Sequence, residues 1–214
     1  MTGLFMKDIL IIKKRYHGLL GIVVLAISIG AFFIFPEYAA IYVPLLFPPM
    51  GVALLADLAT SDEKSGWRKY LPALPLTQKE IVLSRYAFCG LLIAAIFLFS
   101  LFYSCLAVLF FEHWTFMEVL IYSFGGLLFA VLMLIVGVPF GYFFKGELAT
   151  GSMMGVIVLI MILRHTGIIS LLLNGSTWIA ALMIMAMALI LLYCSYRLSL
   201  LIYTQKIHLN IRNK

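Results

Sequence analysis

The chain has 214 residues, 64% of them hydrophobic and only 11% charged, with a mean hydropathy of +1.13. Soluble domains average about 45–50% apolar and about 25% charged residues, so the composition excludes a soluble globular protein and leaves a multi-span membrane protein. The net charge of +6 does not indicate a nucleic-acid partner, because the basic residues flank apolar runs and form no patch. Cys89, Cys105 and Cys194 lie inside apolar runs without paired spacing, which argues against a disulfide framework or a zinc site.

The opening residues interleave Leu4, Phe5, Ile9, Ile11 and Ile12 with Lys7, Asp8, Lys13, Lys14 and Arg15. This predicts a basic amphipathic helix lying along a membrane interface. Residues 18–35 follow as a first span, longer than a signal-peptide core and without a small-x-small cleavage site, so the segment is expected to be retained. Pro36 and Glu37 read as a short turn before a second span at 38–58. Pro44, Pro48 and Pro49 fall inside that span. Proline removes a helical donor and clashes one turn back, so a kink is expected, serving either packing alone or the shape of a translocation path. Spans three and four are expected at 86–111 and 119–144, each long enough to cross about 30 Å of hydrocarbon at about 1.5 Å per residue. Residues 148–166 form a short fifth span interrupted at Arg164, His165 and Thr166. Either the helix ends there and a re-entrant piece follows, or it continues tilted with Arg164 snorkelling outward. A sixth span is expected at 177–199, ahead of a basic tail.

Six spans place both termini on one side. Taken by alternate loops, 14 of the 15 Lys and Arg fall on that side, whereas the opposite loops hold Arg164 with Glu37, Glu112 and Glu118. The positive-inside rule makes the basic side cytoplasmic. The reading is therefore an all-α, multi-pass protein of the cell membrane, forming one domain over residues 1–214.

Charge within lipid is costly and marks function, and these spans carry almost none. His17, His113, His165 and His208 lie at interfaces or in the tail with no second ligand at helical spacing, so no metal site is expected. There is no G-x-S-x-G nucleophile elbow and no Walker A sequence. The chain is expected to be no enzyme and to hold no cofactor of its own, with any nucleotide chemistry supplied by another subunit. Gly137 with Gly141 and Gly151 with Gly155 have the four-residue spacing of close helix packing. Methionines cluster in the last two spans, where flexible thioethers suit an adaptable apolar path. Met153, Met154 and Met161, with Pro48 and Pro49, are the candidates for lining it, against the plainer reading of lipid-facing side chains.

The longest polar interruption, Asp57 to Arg85, holds nine of the 24 charged residues. Thr60 followed by Glu63 has the form of a capping box, which predicts a short surface helix from Thr60 to Leu71 with Trp67, Tyr70 and Leu71 on one face. Pro72 and Pro75 end it. Gly66 runs against this reading, since glycine inside an exposed helix costs about 1 kcal/mol relative to alanine. Thr77 and Glu80 form a second capping box, starting the helix that becomes the third span. The product is a rigid elbow joined to spans two and three.

The run DEKSGWRKYLPALPLTQKEIVLSRY resembles the loop between spans two and three of small ABC-2 type permeases of ABC transporters, among them the permease subunits of phenol-soluble modulin exporters of Gram-positive bacteria. Six spans, internal termini and an amphipathic amino-terminal helix agree with the resemblance, which covers the whole chain. It implies that two permeases, most simply two copies of this chain, pair around a central path. Each docks on one of two cytoplasmic ATPase subunits, which bind the ATP and Mg. Carried onto this sequence, the coupling helix is Thr60 to Leu71, with Asp62, Glu63, Lys64, Trp67, Arg68 and Tyr70 as contacts and Lys7, Lys13 and Lys14 flanking them. The short 164–177 connection departs from the outer re-entrant gate of larger relatives. The function implied is export of an amphipathic or hydrophobic substrate, such as a peptide toxin, an antimicrobial peptide or a lipid-like compound, or immunity against one. The alternative is a membrane scaffold or sensor that recruits another cytosolic protein through the polar loop.

Overall fold

A computed structural model describes residues 2–16, 19–71, 74–110, 115–143 and 177–212. All regular structure among them is helical: α1 Thr2–Tyr16, α2 Leu19–Ile34, α3 Pro36–Lys64, α4 Trp67–Tyr70, α5 Gln78–Phe110, α6 Phe116–Phe143 and α7 Thr177–Arg212. The span expected at 148–166, with Met153, Met154 and Met161, lies outside the described residues, as does the connection through 176. Three helical segments among the described residues are long and apolar enough to cross a membrane, Gln78–Phe110, Phe116–Tyr142 and Ala186–Gln205. They place the protein in a membrane.

Three boundaries differ from expectation. Pro36 is the first residue of α3, not part of a turn, a position where the missing N–H would have had no helical partner anyway. Helix α3 then runs unbroken through Pro44, Pro48 and Pro49 to Lys64. No new helix starts at Thr60, because a capping residue must be non-helical and Thr60 lies within α3. At the other end of the chain α7 continues for 36 residues to Arg212, so the basic tail extends the last helix.

The chain divides into two compact units, Met1–Leu54 with Ala87–Ala130, and Leu55–Tyr86 with Val131–Lys214. In the first, α5 is the post against which the other helices pack. Phe88 meets Phe5 of α1 edge-on at 5.9 Å. The Tyr103 hydroxyl donates to the Ser28 carbonyl of α2 at 3.1 Å, Phe99 stacks on Phe47 of α3, and Phe97 leans on Phe124 of α6. Buried Val43 and Tyr103 form a small core with Phe47 against it.

Helices α6 and α3 approach closely at Gly126. A Cβ on Gly126 would run into the Pro44 carbonyl oxygen and lie 3.0 Å from both Cα and the carbonyl oxygen of Leu45. Those carbonyls are special, because their helical donors would be the N–H groups of residues 48 and 49, and both are proline. Gly126 therefore lies against the stretch of α3 backbone that the prolines leave without helical hydrogen bonds. Serines inside the helices satisfy themselves, with Ser100 donating to Phe97 O, Ser104 to Ser100 O and Ser123 to Val119 O at 2.8–2.9 Å. Such local back-bonding keeps a hydroxyl paired where no water reaches it.

Candidate functional site

The polar segment belongs to the second unit, and its backbone is set by one glycine and one capping box. At the end of α3 the N–H of Ser65 bonds Ser61 O at 3.0 Å and that of Gly66 bonds Glu63 O at 3.1 Å. Gly66 then adopts φ 67° and ψ 11°, the left-handed conformation that ends helices and that glycine takes without a Cβ clash. The expected helix over Thr60 to Leu71 is thus two pieces, the last turns of α3 and the single turn α4, broken at the residue that had opposed a continuous helix.

Beyond Leu71, the Leu74 N–H reaches Leu71 O at 3.2 Å, and the chain restarts at Thr77. The Thr77 N–H and Oγ1 both donate to Glu80 Oε2 at 2.8 Å, and the Glu80 N–H returns to Thr77 Oγ1 at 3.3 Å. This is the reciprocal box expected there. Glu80 stands in the first turn of α5, ahead of the apolar run that begins at Tyr86, and the two Thr77 donors hold its carboxyl below the usual glutamate range. The same geometry occurs in the first unit at Thr115 and Glu118, with 3.0, 2.8 and 3.4 Å contacts. That box was readable as T-x-x-E at the start of an apolar run, and the sequence reading missed it.

Within this frame the expected docking residues separate. Asp62 is 3% exposed and forms an ion pair with Arg85 of α5, so its carboxylate points into the unit. Glu63 and Trp67 are half-buried. Lys64 is exposed, as is Tyr70 at 63%. The Arg68 side chain lies outside the description. In the first unit Lys13 and Lys14 are exposed on α1, whereas Lys7 is half-buried and pairs with its neighbour Asp8 at 3.1 Å. Pro48 and Pro49 are both buried. Among the described residues, no group of three or more His, Cys, Asp or Glu is placed to hold a metal ion.

Next to Arg85, buried Tyr86 carries a hydroxyl cluster that the sequence reading did not find. Its OH lies 2.7 Å from Ser195 Oγ and 2.9 Å from Ser199 Oγ, both on α7, and Ser195 Oγ donates to the Ile135 carbonyl of α6 at 2.6 Å. Each hydroxyl has one proton. With the Ser195 proton on Ile135, Tyr86 must donate to Ser195 and Ser199 to Tyr86, which orders the chain Ser199 to Tyr86 to Ser195 to the α6 backbone. Serines at i and i+4 of α7 put both hydroxyls on one helix face. That spacing was present in the sequence, but nothing there paired it with Tyr86.

The family model described as ABC-2 family transporter protein matches residues 3–204. No curated protein and no solved structure matches the chain.

Proposed function

The chain belongs to the ABC-2 transporter family, and we propose that it is the membrane-spanning permease of an exporter driven by ATP hydrolysis on separate cytoplasmic subunits. The family match over nearly the whole chain carries this reading. It makes the protein a transport component, and the Walker A sequence that ATP hydrolysis would require is absent from it. Two such chains pair, each with one ATPase, with the termini and the 57–85 segment on the cytoplasmic side, a placement that the distribution of Lys and Arg supports.

The docking element is the end of α3 with α4. Lys64 and Tyr70 present a cation and an aromatic ring outward on either side of the Gly66 break, while buried Asp62 and Leu71 hold the segment in place from within. Tyrosine is one of the residues enriched among interaction hot spots. The cargo is an amphipathic or hydrophobic molecule, a peptide or a lipid-like compound, in keeping with spans that offer hydroxyls and apolar side chains and almost no charge.

The test is co-purification. K64A combined with Y70A is expected to reduce recovery of the ATPase with the tagged permease while membrane insertion is unchanged. Recovery equal to wild type would refute the docking assignment. Capture of a cytosolic protein with no nucleotide-binding subunit would favour the scaffold reading.

A further inference from the structure

We infer that Arg85 and Tyr86 close a ring of four helices, so that movement of the polar segment is delivered to α3, α5, α6 and α7 together. Only the source of that movement rests on the docking proposal above; the ring is a property of the second unit by itself.

The ring can be followed link by link. Helix α3 is joined to α5 by the Asp62–Arg85 ion pair. Helix α5 is joined to α7 by Tyr86 with Ser195 and Ser199, by Tyr86 meeting Tyr196 edge-on at 5.8 Å, and by the Thr204 hydroxyl, which shares its one proton between Gln78 Oε1 at 2.9 Å and Leu200 O of its own helix at 2.8 Å. Helix α7 is joined to α6 by Ser195 on the Ile135 carbonyl and by Tyr203 against Tyr142 at 5.7 Å. The circuit closes where α6 returns to α3, since a Cβ on Gly141 would lie 3.8 Å from that of Ala59.

Two adjacent residues can serve two neighbours because successive side chains on a helix point about 100° apart. Arg85 reaches α3 while Tyr86 reaches α7. In a closed ring no helix can slide without opening a second contact. Most of these contacts are hydrogen bonds or an ion pair, and opening one gives up a bond between helices that a hydroxyl can replace only on its own helix. An elbow joined only through the chain would pass motion to spans two and three, that is, to α3 and α5. The ring adds α6 and α7. Arg85 and Tyr86 are therefore positioning residues, acting through the helices they hold.

The experiment places spin labels at Ser65 and Gln205, both exposed, in the whole chain with Cys89, Cys105 and Cys194 replaced by alanine, mixed with excess unlabelled permease so that a pair of chains carries at most one labelled copy. Electron–electron distances are read in nanodiscs, for the permease alone and with its ATPase, with and without ATP. The wild type is expected to give one narrow distance that ATP leaves unshifted, because both labels ride on one body. D62N and Y86F are each expected to broaden or split the distribution, and the charge-exchanged D62R, R85D double variant to narrow it again. A lost side chain that merely loosened the fold would show no such rescue. A broad wild-type distribution, an ATP-dependent shift between the labels, or a Y86F distribution as narrow as wild type would each overturn the ring. If no ATPase co-purifies, the docking proposal fails, and the distributions of the permease alone still decide the ring.

Discussion

Gly126→Ala is the most informative single-atom change in the first unit, because the added methyl group meets backbone. It would run into the Pro44 carbonyl and lie 3.0 Å from the Leu45 Cα and carbonyl oxygen. Neither can rotate away, and α3 is held in place here by Phe47 on Phe99 and by Val43 against Tyr103. Forcing extra volume into a packed site costs about 1–3 kcal/mol, and a clash with backbone belongs at or above the top of that range. Replacing a helical glycine by alanine returns about 1 kcal/mol of propensity. The net expectation is a loss of about 2 kcal/mol, a folded-to-unfolded ratio lower by roughly 30-fold. Two neighbours serve as controls. A Cβ on Gly125 would meet Leu45 Cδ1 at an ordinary 3.7 Å, and one on Gly51 would meet the mobile end of Ile96 at 2.5 Å. Rotating Ile96 aside costs about 0.5–1.5 kcal/mol, which the propensity gain offsets. Thermal melts in detergent, followed by monodispersity of the tagged protein, should therefore show G126A well below wild type, with G125A and G51A close to it. A G126A melt coinciding with G125A would refute the close approach of α6 to the proline-interrupted face of α3.

At Gly66, whose φ is 67°, alanine has open space but the wrong backbone conformation, which costs about 1–2 kcal/mol. Since the strain is local, G66A should speed tryptic cleavage after Lys64 and Arg68 more than it lowers the global melt. The Thr77–Glu80 box predicts a pH dependence. Because the folded state lowers the Glu80 pKa, its contribution is present above the unfolded value of about 4.3 and is lost as pH falls through the folded value. Melting of the wild type should therefore fall on acidification below about pH 4.3 more steeply than that of E80Q, and equal acid limbs would refute the box as a source of stability.

The helical class and the extents of α2, α5 and α6 were legible because long apolar runs in lipid have few alternatives to helix. The Thr77 box was legible because its two partners are three residues apart. What the sequence concealed depends on tertiary context. Thr60 and Glu63 match the same local pattern as Thr77 and Glu80, yet α3 continues through them, since a capping residue works only where the preceding chain is not already helical. Asp62 reads as a surface charge among Glu63, Lys64 and Arg68. Its partner Arg85 is 23 residues away, across a loop whose course no local rule supplies. The left-handed turn at Gly66 was half-legible, as a residue that fitted its predicted helix poorly.

The same dependence on tertiary context holds for the polar groups of spans that carry almost no charge. These helices are held by hydroxyls: Tyr103 to Ser28 in the first unit, and Ser199, Tyr86 and Ser195 to Ile135 in the second. A hydroxyl suits this role because it can satisfy itself on its own helix, as Ser100, Ser104 and Ser123 do, or turn outward to a neighbour at little desolvation cost. A buried carboxylate has no such second option. Hydrogen bonds between membrane helices average only about 0.6 kcal/mol each, so no one of these contacts holds the bundle. A ring of them joins the helices at several points without placing a charge in lipid. The Asp62–Arg85 ion pair lies where the polar segment meets α5, and there Arg85 is still partly exposed. A permease that must hold its helices in register and still let them move as a group is served better by that division than by charges along its spans.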